Sequence, residues 1–278
     1  MMEEFVEEIL KILKSNKSNK QKKEELQNYH ENDIAEVIPH LSDEEKTELF
    51  KILDEDDLSE VISYADDVDD IIEGLDDEFV ADILEEMDSD DAVDILEDMD
   101  NKDRESVLSK MDEDAREDAE MILSYNEDQI GRIMTTNFIV INKEDTIPVA
   151  MKKLVKQSGD NDNISTIFVV DDDNKYIGAV DLKDLIKARK NAILANICME
   201  NYPSVLASAI VSEVYQDVVD YGEDIIPVLD DSEHLIGALT AHDLVEVTGE
   251  EMQEDYQKFA AINGNVDLDS SVFTSIKK

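Results

Sequence analysis

From Leu41 to Met121 an apolar residue followed by a short polar one returns every twelve positions. The clearest cases are Leu75-Asp76, Met87-Asp88, Met99-Asp100 and Met111-Asp112, with a weaker register earlier at Leu41-Ser42 and Leu53-Asp54. Eight and nine residues into each of the later units stands an apolar pair, Ile83-Leu84, Ile95-Leu96 and Val107-Leu108, which is helical spacing. Each Asp falls where an N-cap side chain accepts from the free amides of a first turn. Helices of about eight or nine residues do not hold alone in water, so each must bury its apolar stripe on its neighbours. The pattern predicts an all-helical superhelix, right- or left-handed, over residues 1–129, with Pro39 and Gly74 its only strong punctuation.

The same stretch carries most of an extreme charge. Residues 41–120 hold 35 Asp or Glu against 6 Lys or Arg, a net of -29 in a chain whose formal net charge is -47. Such a field repels phosphate backbones and anionic lipid, which argues against nucleic-acid partners. It attracts cations. One cysteine, Cys198, permits no internal disulfide, and with His30, His40, His234 and His242 scattered it makes a zinc site a poor reading. The apolar runs fall short of the roughly 20 residues that span a bilayer, so the chain reads as soluble and cytosolic. No nucleophile elbow, phosphate loop or His-Glu-x-x-His occurs, and an enzyme is the least favoured class.

Most of these carboxylates read as solvated helix faces. Asp90, Asp91 and Asp94 are the exception: Asp90 and Asp94, four apart, share a face and repel, and a hard divalent cation relieves that repulsion. Mg2+ keeps several waters and needs only one or two carboxylates, so no compact motif is required. Asp171-Asp172-Asp173 opens like a calcium loop, but Tyr176 and Leu182 stand where Gly and Glu are needed.

After Tyr125 the pattern changes to Ile- and Val-rich strands alternating with amphipathic helices. Residues 170–185 repeat 59 positions later as 229–244, with seven of sixteen positions identical. Each copy reads as a buried strand (Ile167 to Val170, Ile225 to Leu229), an Asp-Asp turn, a second strand through Ile-Gly-Ala, and a helix. A further helix precedes each hairpin, Ile147 to Gln157 and Ser212 to Tyr221, after short segments ending Ile133-Met134-Thr135 and Ile197-Cys198-Met199. This order, with an Asp six residues after the Gly, closely resembles a pair of CBS domains, 130–190 and 191–249. The resemblance implies two stacked α/β sheets, a homodimer and clefts for adenosine nucleotides such as ATP. The ligand pattern Gly-x-x-Ser/Thr-x-x-Asp is met by Gly237, Thr240 and Asp243; in the first copy Asp184 is kept but Asp181 replaces the hydroxyl. A competing structural reading is that Asp184 and Asp243 cap helices.

An acidic helical array, then Tyr125 to Thr135, then a CBS pair, resembles the cytosolic portion of MgtE-type magnesium transporters. That resemblance implies a connecting helix within 243–278, a membrane pore beyond this chain as partner, and Mg2+ as ligand on the cytoplasmic side of the membrane. On this chain its ligand positions fall on Glu60, Asp90, Asp94, the Gly131 carbonyl, Asp243, Glu246, Glu251, Glu254 and Asp255. Positions that are acidic in the family fall on Ile210, Ser212 and Gly222, where Glu213, Glu223 or Asp224 would have to substitute, and Asp91 is a further candidate. The expected action is an electrostatic switch: carboxylates on facing surfaces repel, and Mg2+ bridges them into a compact state that closes the pore. The alternatives are an adenosine-nucleotide energy sensor and a plain acidic interaction scaffold.

Overall fold

The computed structural model describes residues 2–244, apart from 66, 67, 73, 74, 160, 162 and 242. Up to Leu123 the described segments are helical: α1 (Met2–Leu13), α2 (Asn19–Leu26), α3 (Glu31–Ala35), α4 (Asp43–Phe50), α5 (Glu55–Ser63), α6 (Asp69–Ile72), α7 (Asp77–Glu85), α8 (Ser89–Asp98), α9 (Asn101–Leu108) and α10 (Glu113–Leu123).

The twelve-residue period sets where these helices begin. Asp54, Asp76, Asp88, Asp100 and Asp112 all occupy N-cap positions. Asp54 accepts from the amide of Asp57, and Asp76 from that of Glu78, while at Asp100 and Asp112 the position is kept without a cap bond from the side chain. The paired apolar residues point inward: Ile83, Leu84, Ile95, Leu96 and Val107 are buried. Helices stack on their next-but-one neighbours, α5 on α3 and α7, α7 on α9, and α8 on α10. Full burial of one such side chain contributes about 1.5–3 kcal/mol, which supplies what short helices lack alone.

Ahead of the repeat, Lys22 of α2 is buried and ties three helices together. Its ammonium donates to the Leu13 carbonyl at the end of α1 (2.6 Å) and to Glu48 of α4 (2.8 Å).

The second half holds two sheets of three strands. In the first, β1 (Val140–Asn142) runs parallel to β2 (Thr166–Val170), which pairs antiparallel with β3 (Tyr176–Asp181); α11 (Ile147–Gln157) links β1 to β2 and α12 (Leu182–Lys187) follows β3. In the second, β4 (Val205–Leu206), β5 (Ile225–Leu229) and β6 (Leu235–Thr240) repeat the order, with α13 (Val211–Tyr221) as the link. Both hairpins shift register at the same place, Val169/Val170 and Val228/Leu229, and both turn through a residue of positive φ, Asn174 (58°) and Glu233 (69°).

The segment leading into each copy pairs with the other copy. Thr135 exchanges two 2.8 Å hydrogen bonds with Ala238 of β6, and Met199 exchanges two with Ala179 of β3. The glycine before each alanine is required by that crossing. A Cβ on Gly237 would lie 2.5 Å from the sulfur of Met134, and one on Gly178 2.5 Å from the carbonyl oxygen of Met199. Phe168, Val170, Ile225, Leu229 and Ala238 fill the space between the sheets.

Because Ile130 and Met134 lie in the second copy, its core (Val211, Ile226, Val228, Leu239) is continuous with that of the helical array. Polar contacts reinforce the junction. Ser89, at the start of α8, donates its amide to Asn137 (3.1 Å) and accepts from the amide of Thr136 (2.7 Å). The Thr136 hydroxyl reaches Asp118 of α10 (2.9 Å). No described helix is long and apolar enough to cross a membrane. The helix expected after Asp243 lies outside the described residues beyond Leu244.

Candidate functional site

Between the helical array and the CBS pair lies a cleft of about 1680 Å³. The starts of α8 and α10, two helices that stack on each other, face it with Asp88, Asp90 and Asp91 from α8 and Asp112, Glu113 and Asp114 from α10. Acidic groups at a helix N-terminus are favoured by the free amides there. Glu60 of α5 joins them, and the CBS side contributes Asp224, Asp243 and the neutral Asn161, Asn163 and Ser165. Among the described residues lining the cleft there is no Lys, Arg or His.

Asp90 is the most perturbed group in it. Its Oδ1 is buried without a hydrogen-bond partner. Loss of water, followed by the charges of Asp243, Asp91 and Asp88, pushes its carboxyl well above the usual range. A buried, unpaired oxygen facing other carboxylates is what a hard cation with its waters relieves, so these residues fit Mg2+. Among the described residues no three Asp, Glu, His or Cys side chains converge as a closed metal centre.

Asp243 also closes a capping box: its Oδ2 accepts from the Thr240 amide (3.0 Å), and its own amide donates to the Thr240 hydroxyl (3.3 Å). In the first copy the cap is Asp181, which accepts from the Lys183 amide at 2.7 Å. That corrects the capping expectation for Asp184. The residue that replaces the hydroxyl does the capping, and Asp184 lines a separate hollow of about 510 Å³ with Lys187, Asn196 and Cys198.

The cleft therefore brings together Glu60, Asp90, Asp91, Asp224, Thr240 and Asp243. Asp94, Gly131 and Glu223 are not on its lining. Asp94 stands 3.6 Å from Arg132, which also bonds Glu97. Gly131 is buried under Tyr125, where a Cβ would lie 2.5 Å from the ring. Glu223 lies beside Tyr202, whose phenol is pushed up by burial and then by that carboxylate. Gly222 ends α13 with φ +66°, a backbone need that accounts for its side-chain-free position. Glu246, Glu251, Glu254 and Asp255 lie outside the described residues. Arg132 and Glu97 were missed from sequence, though a lone cation in the apolar run Ile130-Gly131-Arg132-Ile133-Met134 signals a partner to be found.

Residues 29–128 match the family described as MgtE intracellular N domain, and residues 130–191 and 194–250 match the CBS domain. Among curated proteins, the magnesium transporter MgtE of Enterococcus faecalis is 32% identical over 146 residues, 52% of this chain and 32% of that protein. MgtE of Thermus thermophilus is 28% identical over the same shares. The chain spans about a third of the length of these relatives. A crystal structure of the soluble part of a magnesium transporter superposes with a TM-score of 0.84 at 27% identity, covering 90% of this chain and 99% of that one. The cytosolic domain of the Mg2+ channel MgtE in complex with ATP gives 0.73 at 25% identity, covering 81% and 93%. The chain belongs to the MgtE-type magnesium transporter family, of which it carries the intracellular N domain and the CBS pair.

Proposed function

We propose that this chain is a Mg2+-sensing regulatory region acting on the cytoplasmic side of the membrane, a binding role and not an enzymatic one. The observation that carries this reading is the buried, unpartnered Asp90 oxygen set against Asp91 and Asp243 in a cleft whose described lining has no basic side chain. Glu60, Asp90, Asp91, Asp224 and Asp243 line the cleft that takes Mg2+ with its water shell, no three of them closing directly on one ion; Glu246, Glu251, Glu254 and Asp255, outside the described residues, extend the acidic set in sequence. Mg2+ supplies charge neutralisation, so the carboxylates no longer push the helical array and the CBS pair apart at the cleft. Ligand at 100 times its dissociation constant adds about 2.7 kcal/mol per site to the state that binds it, and a few sites shift a two-state equilibrium strongly. The partner that reads this change is the membrane pore of the full-length transporter.

The exposed apolar side chains Val155, Ile186, Ile193, Met199 and Tyr221 support pairing of two copies through their CBS domains. Sedimentation that gives a monomer at tens of micromolar would remove that part of the reading. A second reading, binding of an adenosine nucleotide, is favoured by Thr240 and Asp243 beside the cleft and by the ATP in the related structure. Calorimetry with MgCl2 and with ATP separately decides between the two. The main test is solution scattering and protease sensitivity in chelator and in tens of millimolar Mg2+: the expected result is compaction and protection by Mg2+, and identical curves would overturn the proposal.

A further inference from the structure

We propose that the guanidinium of Arg132 occupies the corner beside Asp94, a position to which family resemblance gives a metal ligand, and fastens α8 to the second CBS domain without metal. This rests on the Mg2+ reading of the neighbouring cleft and narrows it. The Arg132 side chain is only 5% exposed, whereas Asp94 is 78% exposed and off the cleft lining. The Arg132 Nη2 lies 3.6 Å from Asp94 Oδ1 and donates a close hydrogen bond to Glu97 Oε2, three residues further along the same helix face. Its Nη1 is buried with no partner among the described residues.

The backbone bearing Arg132 is fixed to the CBS side, with the amides of Ile130 and Gly131 donating to the carbonyls of Ala209 and Ala207 at 2.9 and 2.8 Å. The cation is thus held from one domain and offered to the other. A divalent ion arriving at Asp94 would sit within a few Å of a positive charge that does not titrate away, on a guanidinium that is itself shielded from water although Asp94 is exposed. The corner does not fit a metal. It acts as a hinge that stays fastened in chelator, and the ion-dependent motion is confined to the mouth around Asp90 and Asp243.

The experiment uses the full 278-residue chain and MgCl2, reading compaction by limited proteolysis and amide exchange over residues 129–137. D94N is expected to leave the Mg2+ midpoint within about twofold, while D90N raises it about tenfold or more. An equal rise in both variants would overturn the assignment. E97Q, whose half-exposed side chain tolerates change, is expected to speed exchange over 129–137 in chelator several-fold, with no recovery in Mg2+. Unchanged exchange, or recovery by Mg2+, would overturn the hinge. If the unmodified chain shows no response to MgCl2, the Mg2+ reading fails, and the chelator comparison of E97Q still decides the role of Arg132.

Discussion

Met134 lies across Gly237 so closely that a Cβ on the glycine would stand 2.5 Å from the methionine sulfur, and Met199 crosses Gly178 in the same way through its carbonyl oxygen. The two sites are equivalent in the duplicated fold but not in what can give way. At Gly237 the obstacle is a side chain, although a fully buried one; at Gly178 it is backbone, with Glu200 Cα also at 2.9 Å. Overpacking a core costs about 1–3 kcal/mol, so G178A should fall at or above the top of that range and G237A near the lower end. Urea unfolding of the two variants checks the order, and a G237A loss exceeding that of G178A would contradict it.

A second expectation concerns Lys23, which lies 2.5 Å from both Asp54 and Asp57. The hydrogen bond from Lys23 is the largest influence on Asp54 and, with the Asp57 hydrogen bonds and against burial, brings its carboxyl from 3.8 down to about 2. A lowered carboxyl stabilises the fold above its unfolded value, and that contribution disappears as pH falls from about 4 to about 2. Asp54 is half exposed, so after solvent screening the pair contributes about 1 kcal/mol at most. K23M should therefore lower stability by about 1 kcal/mol at pH 7 and by almost nothing near pH 2, as read by denaturant melts across that range.

Asp90 should behave in the opposite sense. Its buried charge is opposed by Asp243, Asp91 and Asp88, so neutralising it removes a repulsion that the folded chain carries in the absence of metal. D90N is expected to raise stability in chelator by about 1 kcal/mol, equivalent to a few degrees in Tm, while losing most of the Mg2+-induced rise. A thermal melt in EDTA and in MgCl2 gives both quantities, and a destabilised D90N in EDTA would count against a strained cleft.

The positions of Asp54, Asp76, Asp88, Asp100 and Asp112 at helix starts were legible because a twelve-residue unit is one short helix plus its turn, a local matter of caps and apolar spacing. The duplicated hairpin was legible for the same reason, down to the bounds of the second copy's strand Ile225–Leu229. What sequence does not carry is which copy a leading segment will pair with: nothing near Met134 distinguishes Ala238 from Ala179 as its neighbour's strand. The cleft was half legible. Periodicity puts Asp90 and Asp94 on one helix face, but which of them meets Asp243 and which meets Arg132 depends on the rotation of α8 against the CBS pair, set by long-range packing.

The junction at Ser89 offers a last test of how the two halves are joined. Thr136 donates its hydroxyl to Asp118 (2.9 Å), and its amide donates to Ser89 (2.7 Å). Burial pushes the Asp118 carboxyl up; the Thr136 bond opposes this and the Asp114 charge adds to it. In T136V the half-buried carboxylate loses its donor, at a cost of about 1–2 kcal/mol at pH 7. Because the folded value of Asp118 lies above its unfolded one, the fold gains a proton as pH falls, and the penalty should shrink as that carboxyl protonates. D118N keeps an acceptor for Thr136 without the charge, so it should be neutral or slightly stabilising. Melts of both variants at pH 7 and pH 4.5 carry the comparison, and a T136V penalty that grows on acidification would show that Thr136 acts through some group other than Asp118.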